Sequence, residues 1–365
     1  ITDSLVGSEM CIRERLTTGS ADQLTITVAS TSATAAQLKT VGDATGLNVT
    51  ATAVESVTNS SVAQVIALLT DEGSSGDKVN LDGDFTVAIN DTGTVDAADL
   101  NTINAATIGL VTATGVATIN GTASAITTLI GNEGTSGDKV ALDGDFAMTV
   151  SSGSATVDQA NTMAAFSTTG AITATISNTD IAELDDLTTG SADQLTITVA
   201  STSATASQLT TVAGATGLNV TATAVETVTG TAAQVDALLL VEGSTGDKVN
   251  LDADYAITIN SGTATVTQAN AYATAAGVVT ATISDTNIAA LDDLTTASTD
   301  QLTITVASTS ATAAQLTTVA GATGLNVTAT AVETVTGTAT QMDALLAVEG
   351  STGDKVNLDA DYAIT

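Results

Sequence analysis

Hydroxyls supply most of the usable chemistry in this chain. Threonine makes up about a fifth of the 365 residues. Many threonines sit two apart in alternating runs such as Leu195-Thr-Ile-Thr-Val199, Val220-Thr-Ala-Thr-Ala224 and Val279-Thr-Ala-Thr-Ile283. Alternate side chains of a strand share a face, so both threonines of a run point away from its apolar residues. Stacked strands would then line them into an outward ladder. Its members are Thr25, Thr27, Thr50, Thr52, Thr112, Thr114, Thr173, Thr175, Thr196, Thr198, Thr221, Thr223, Thr280, Thr282, Thr303, Thr305, Thr328 and Thr330. Three chemistries fit such a set. Threonine is polar with high β propensity and suits a solvated strand face. Its hydroxyl also accepts O-linked sugars, and flat T-x-T ladders resemble the faces of ice-binding solenoids. Ala88, Ala256 and Ala363 interrupt the ladder, which weighs against the last.

Carboxylates form the second set. The loop Glu242-Gly-Ser-Thr-Gly-Asp-Lys-Val-Asn-Leu-Asp252-Ala-Asp254 recurs at 72–84, 133–145 and 349–361. Each copy offers a Glu and three Asp around glycine turns: Glu72, Asp77, Asp82 and Asp84; Glu133, Asp138, Asp143 and Asp145; Glu242, Asp247, Asp252 and Asp254; Glu349, Asp354, Asp359 and Asp361. Hard oxygen donors of this type suit Ca2+, although the spacing matches neither an EF-hand loop nor the nonapeptide calcium repeat. Lys78, Lys139, Lys248 and Lys355 lie inside the four loops, and a local ion pair is the simpler expectation. Ca2+ is thus an optional ligand, and no cofactor is required. N-x-T sequons begin at Asn48, Asn90, Asn120, Asn219 and Asn326, the first, fourth and fifth at the starts of strands, where a turn residue is expected anyway.

Catalysis has little to work with. There is no His, Pro or Trp, the single cysteine is Cys11, and the arginines are Arg13 and Arg15. Beyond residue 15 no triad, thiolate metal site or guanidinium phosphate clamp can be assembled. A non-enzymatic role is expected. The net charge of −33 argues against nucleic acid and anionic lipid as partners. No apolar run approaches the roughly 18 residues of a membrane span, so membrane insertion is not expected.

Positioning these groups falls to a repeat. The segment from Leu187 returns at Leu294, 107 residues later, and a third copy starts at Leu16 with one extra block. Inside this period, thirteen alternating runs start at Leu24, Val49, Phe85, Val111, Phe146, Ile172, Leu195, Val220, Tyr255, Val279, Leu302, Val327 and Tyr362. Between them lie stretches such as Ala206–Ala213 and Ala233–Leu240, whose apolar residues have three-to-four spacing, the mark of a short amphipathic helix. Ser and Thr precede these stretches as N-caps and Gly follows. One strand and one short helix in about 24 residues is the repeat of an α/β solenoid with a parallel sheet, and right-handed winding is the expected hand. An all-β solenoid is the alternative. The chain divides into an atypical head at 1–15, block 1 with its insertion at 16–186, block 2 at 187–293, and a truncated block 3 at 294–365.

Two resemblances follow from particular phrases. Residues 4–15, SLVGSEMCIRER, resemble translated sequencing-adaptor sequence. The phrases at Gln159–Thr188 and Val228–Leu239 are similar to the repeats of very large Thr- and Ala-rich surface proteins of aquatic and marine bacteria, including cyanobacteria. The second also resembles repeats of aquatic phage tail fibres. What these imply is an extracellular, cell-surface structural fibre or surface-layer-like spacer. It would present a Thr-rich face open to glycosylation, and would self-associate or continue into a longer filament. The competing expectation is a surface-binding module, for ice, glycan or a host surface.

Overall fold

A computed structural model describes residues 19–76, 78–167, 169–246, 248–353 and 355–365. The head at 1–15, with Cys11, Arg13 and Arg15, lies outside the described residues. The chain forms two compact units. The first runs to Ser177 and takes in Ala192–Leu195; the second comprises Asn178–Ser191 and Thr196–Thr365.

Local sequence explains the elements. Eight of the described helices open on a Ser or Thr whose hydroxyl accepts the N–H of a glutamine three residues on, while that glutamine's carbonyl accepts the cap residue's own N–H. Each such reciprocal cap is worth about 1 kcal/mol. Most helices are only eight to ten residues long, too short to persist alone, so packing of one apolar stripe must hold them. Leu209 and Val212, then Val235 and Leu238, then Ala269 and Tyr272 supply that stripe in successive coils of the second unit, all fully buried.

In the second unit, coils stack as parallel strands backed by these helices. One coil contributes Ser203–Thr205 and the helix Ala206–Gly214. The next contributes Val220–Thr221, Thr227–Thr231 and the helix Ala232–Val241. A third contributes Val249–Asn250, Ala256–Ser261 and the helix Val266–Ala275. The fourth has a single strand, Val279–Thr282, and one turn of helix, Ile288–Leu291. Ala204, Val228, Ile257 and Val279 are mutual partners in register and face the core. The first unit follows the same plan. Ser32–Ala33, Ser56–Ser60, Thr86–Ile89, Val111–Thr112 and Val140–Ala141 form one parallel sheet. Thr94–Asp96, Thr118–Thr122, Ala147–Ser152 and Ile172–Thr175 align in another.

The α/β solenoid expectation therefore holds, with parallel strands alternating with short helices throughout the described residues. What the alternating runs did not resolve is a second short strand in most coils. Val220 is partnered by Val249, not by the run beginning at Tyr255, whose Ile257 stands beside Val228 on one side and Val279 on the other. The irregular spacing of those runs thus has a simple cause. The acidic loop lengthens one coil, and the strand after it passes its ladder to the next coil's first strand.

Side chains as well as main chain fasten one coil to the next. A hydroxyl just past the helix, buried at Thr45, Thr107, Ser167, Thr216 and Thr323, recurs along the chain. Thr323 Oγ1 accepts the Leu302 N–H at 2.9 Å and donates to the Leu302 carbonyl at 2.8 Å. Thr45 does the same at Leu24, at 3.0 and 2.7 Å. Buried Asp193 and Asp300 accept the N–H groups of Ile172 and Val279, both at 2.8 Å. A solenoid has a core only one side chain deep, and these polar ties supply specificity of stacking that packing alone would leave loose.

Candidate functional site

The strands that carry the threonines follow from the apolar alternation, since each buried Val, Ile, Leu or Ala forces its neighbour outward. All eighteen candidate threonines are at the surface: Thr112 and Thr280 are half-buried and the rest are exposed. Thr27, Thr50, Thr112, Thr173, Thr175, Thr196, Thr198, Thr221, Thr280, Thr282, Thr303, Thr305 and Thr328 lie on strands or isolated bridges. Thr52, Thr114, Thr223 and Thr330 lie in turns just past their strands, and Thr25 precedes the bridge at Thr27.

The outward threonines do not stack into continuous ladders. Thr27 pairs with Thr50, which pairs with Asn80. Thr198–Thr221–Asn250 and Thr305–Thr328–Asn357 repeat that triplet. Thr112 stands between Ala88 and Ala141. The cause is the acidic-loop coil, which puts Asn where its neighbours have Thr and then shifts the ladder by one strand. The longest uninterrupted rank is a different one: Thr205, Thr229, Thr258 and Thr280, followed by Gln301. Only Thr280 of these belongs to the sequence set. The missed signal was the second short alternating run of most coils, such as Thr227-Val228-Thr229, which the thirteen runs leave out. Thr205 is committed to capping its helix, whereas Thr229, Thr258 and Thr280 make no side-chain hydrogen bond within the described residues.

Each acidic loop is closed by its own backbone. Gly243 N–H donates to the Val249 carbonyl at 2.8 Å, and Glu242 bridges Val249. Glu72, Glu133 and Glu349 bridge Val79, Val140 and Val356 in the same way. Three of the loop lysines bond the main chain. Lys78, Lys248 and Lys355 donate from Nζ to the Thr70, Leu240 and Ala347 carbonyls at 2.8, 2.7 and 2.6 Å. These carbonyls end the preceding helix, where orphan acceptors and the negative end of the dipole both favour a cation. Ion pairs among the described residues involve Lys39 instead, with Asp43 and Asp71 at 2.7 Å each, and both carboxylates raise the Lys39 ammonium pKa, the Asp43 bond first.

The carboxylates themselves face solvent. Asp82, Asp84, Asp138, Asp143, Asp145, Asp252, Asp254, Asp359 and Asp361 are exposed, as are Glu72 and Glu349, while Glu133 and Glu242 are half-buried. Asp77, Asp247 and Asp354 lie outside the described residues. Among the described residues no three acidic side chains converge to hold a metal ion.

Four of the five sequon asparagines divide into two kinds; Asn120 is half-buried, with an unpartnered Oδ1. Asn219 Nδ2 donates to the Gly243 and Lys248 carbonyls at 3.0 and 3.1 Å, and Asn326 does the same to Gly350 and Lys355. Asn48 ties Gly73 and Lys78 at 2.8 and 3.1 Å. The nitrogen that would bear an N-linked sugar is therefore spent on fastening the acidic loop of the next coil. Asn90 is exposed and bonds only the Asn59 side chain, at 3.1 Å.

All three tyrosines have raised hydroxyl pKa values, Tyr362 by burial first and then by the Glu349 charge. Burial pushes Tyr255 up to about 12, with the Glu242 charge adding to it, and its buried hydroxyl has no hydrogen-bond partner. Tyr272 is raised further, by burial and then by its 2.8 Å bond to Asp236. Tyr255 lies in the core, and Tyr272 is on the buried face of the helix Val266–Ala275.

The class defined by this geometry is an α/β solenoid repeat with hydroxyl-bearing outer strands and acidic connecting loops. Comparison with protein-family models, with curated proteins and with solved structures finds no match for this chain. No helix among the described residues is long and apolar enough to cross a membrane.

Proposed function

We propose that this chain is an extracellular, cell-surface structural repeat, a fibre or surface-layer-like spacer, with no catalytic role. The observation that carries this reading is the uniform outward placement of the eighteen candidate threonines on a frame whose buried hydroxyls, aspartates and asparagines are committed to stacking one coil on the next. The hydroxyls left over face water and are open to O-linked sugars. With −33 net charge, the surface repels its own kind and remains hydrated in salt; Ca2+ is an optional ligand of the acidic loops, and self-association or continuation into a longer filament is the mode of assembly.

The test is intact mass with glycan mapping on native material. Hexose or other sugars on Thr196, Thr198, Thr221 or their equivalents, with the sequon asparagines 48, 219 and 326 bare, is the expected result. A chain of unmodified mass would remove the glycan-bearing part of the reading. The half-buried rank Thr229–Thr258–Thr280 supports a second reading, a surface-binding face, because parallel strands space its uncommitted hydroxyls regularly, about 4.8 Å apart. Inhibition of ice recrystallisation by the unmodified chain, abolished by Thr229→Val with Thr258→Val, would favour that face over the spacer role.

A further inference from the structure

The acidic loops end in a turn that differs between the two units in one atom group. In the first unit the turn reads Asp82-Gly83-Asp84 and Asp143-Gly144-Asp145; in the second it reads Asp252-Ala253-Asp254 and Asp359-Ala360-Asp361. The following amide folds onto the aspartate in each case where the bond is recorded. Gly83 N–H donates to Asp82 Oδ1 at 2.8 Å, Gly144 N–H to Asp143 Oδ1 at 2.9 Å, and Ala253 N–H to Asp252 Oδ1 at 2.8 Å. That contact brings the amide nitrogen beside the carboxyl carbon of the preceding residue. All of these aspartates are exposed, so water and base reach them.

We propose that Asp82 and Asp143 are sites of spontaneous isomerisation to isoaspartate, and that Asp252 and Asp359 are protected from it. Attack of the Gly83 nitrogen on the Asp82 carboxyl carbon forms a new C–N bond. The amide proton and the carboxyl hydroxyl leave together as one water. The five-membered imide then takes up one water at either carbonyl, returning aspartate or leaving the chain linked through the side-chain carbon. No oxidant, metal or co-reactant takes part. Glycine favours the reaction because no Cβ shields its nitrogen or restricts the closing rotation, whereas the methyl of Ala253 does both. Nor does the fold require the glycine. A Cβ built at Gly83 or Gly144 meets nothing within 4 Å, neither has a positive φ, and alanine fills the same place in the other unit. The product adds one main-chain carbon between the strands Val79–Leu81 and Thr86–Ile89. Ageing would therefore act on the first unit's loops and spare the second's.

The experiment incubates the full chain at neutral pH and 37 °C and follows its peptides by electron-transfer fragmentation, with isoaspartyl methyltransferase labelling as an independent readout. Isomerisation leaves the mass of the chain unchanged, so intact mass is blind to it. Isoaspartate is expected to accumulate at Asp82 and Asp143 several-fold faster than at Asp252 and Asp359, through an intermediate one water lighter. Gly83→Ala should bring Asp82 down to the rate of Asp252 and leave Asp143 unchanged. Equal rates at all four aspartates, no isoaspartate at Asp82 and Asp143, or a G83A chain that still converts at Asp82 would each overturn the proposal.

Discussion

The segment Val79–Ile89 of the first unit and the segment Val249–Ile259 of the second are fastened alike and furnished differently. Both are entered by a lysine that caps the preceding helix, and both are tied by an asparagine from the coil before, Asn48 in one and Asn219 in the other. Yet Gly83 stands against Ala253, and Phe85 against Tyr255. At these two positions the side chain makes no hydrogen bond between coils and the slot needs only volume, whereas the asparagine that bonds across the interface is the same in both. Such bonds are not kept everywhere, however: the Thr86 hydroxyl bonds Glu55 and Ser56 of the coil before, and Ala256 stands in its place in the second unit.

Breaking the packing itself should have the largest effect and should be the same in either unit. Leu68 and Leu238 occupy matching places on their helices and both are fully buried. Leu238→Ala is expected to cost about 2–5 kcal/mol in urea unfolding, and Leu68→Ala a similar amount. A large loss at one and none at the other would mean that the two units do not share a packing plan.

The asparagine tie comes next. Asn219→Ala strips donors from the Gly243 and Lys248 carbonyls, and a loss of about 1–2 kcal/mol is expected from partly buried hydrogen bonds of this kind. Asn90→Ala, at an exposed sequon, should stay within about 0.5 kcal/mol. Hydrogen exchange at residues 243–249 would show whether the loop is what loosens; equal effects at Asn90 and Asn219 would dissolve the distinction between tie and ornament. Smaller again is the helix cap, where Thr231→Ala removes half of a reciprocal cap with Gln234 and is expected to cost about 1 kcal/mol, read by the same urea titration.

How much of this was legible in sequence depends on which interaction sets the position. The Ser and Thr N-caps and the three-to-four apolar spacing marked the helices, because both are local. The outward placement of the T-x-T threonines followed from alternation alone. Partner identity did not. Whether Val220 meets Val249 or Tyr255 is decided by the length of the loop between them and by the tie from Asn219, neither of which has a periodic signature. The same holds for Lys248. Its bond to the Leu240 carbonyl, eight residues back, answers a helix end and has no periodic signature either. Buried Thr323 and Asp300 were invisible for a related reason, since in a Thr- and Asp-rich chain nothing in the residue type marks the few that turn inward.

The smallest expected change at neutral pH tests the opposite side of the comparison, the slot that needs only volume. Tyr255 is buried with an unpartnered hydroxyl, while Phe85 and Phe146 fill the corresponding slots without one. Tyr255→Phe should therefore be neutral or stabilising, by between about zero and 1 kcal/mol, because it removes a buried polar group that gains nothing. Alkaline titration sharpens the difference. The folded chain holds Tyr255 protonated up to about 12, whereas the unfolded chain releases that proton near the ordinary value of 10.0. Between those values the folded state binds more protons than the unfolded one, so stability falls as pH rises through the window. The native chain should lose roughly 2–3 kcal/mol there that the Tyr255→Phe chain retains. Parallel stability curves for the two chains from pH 9 upward would show that the hydroxyl is solvated after all, and that the slot is less a volume than a polar contact.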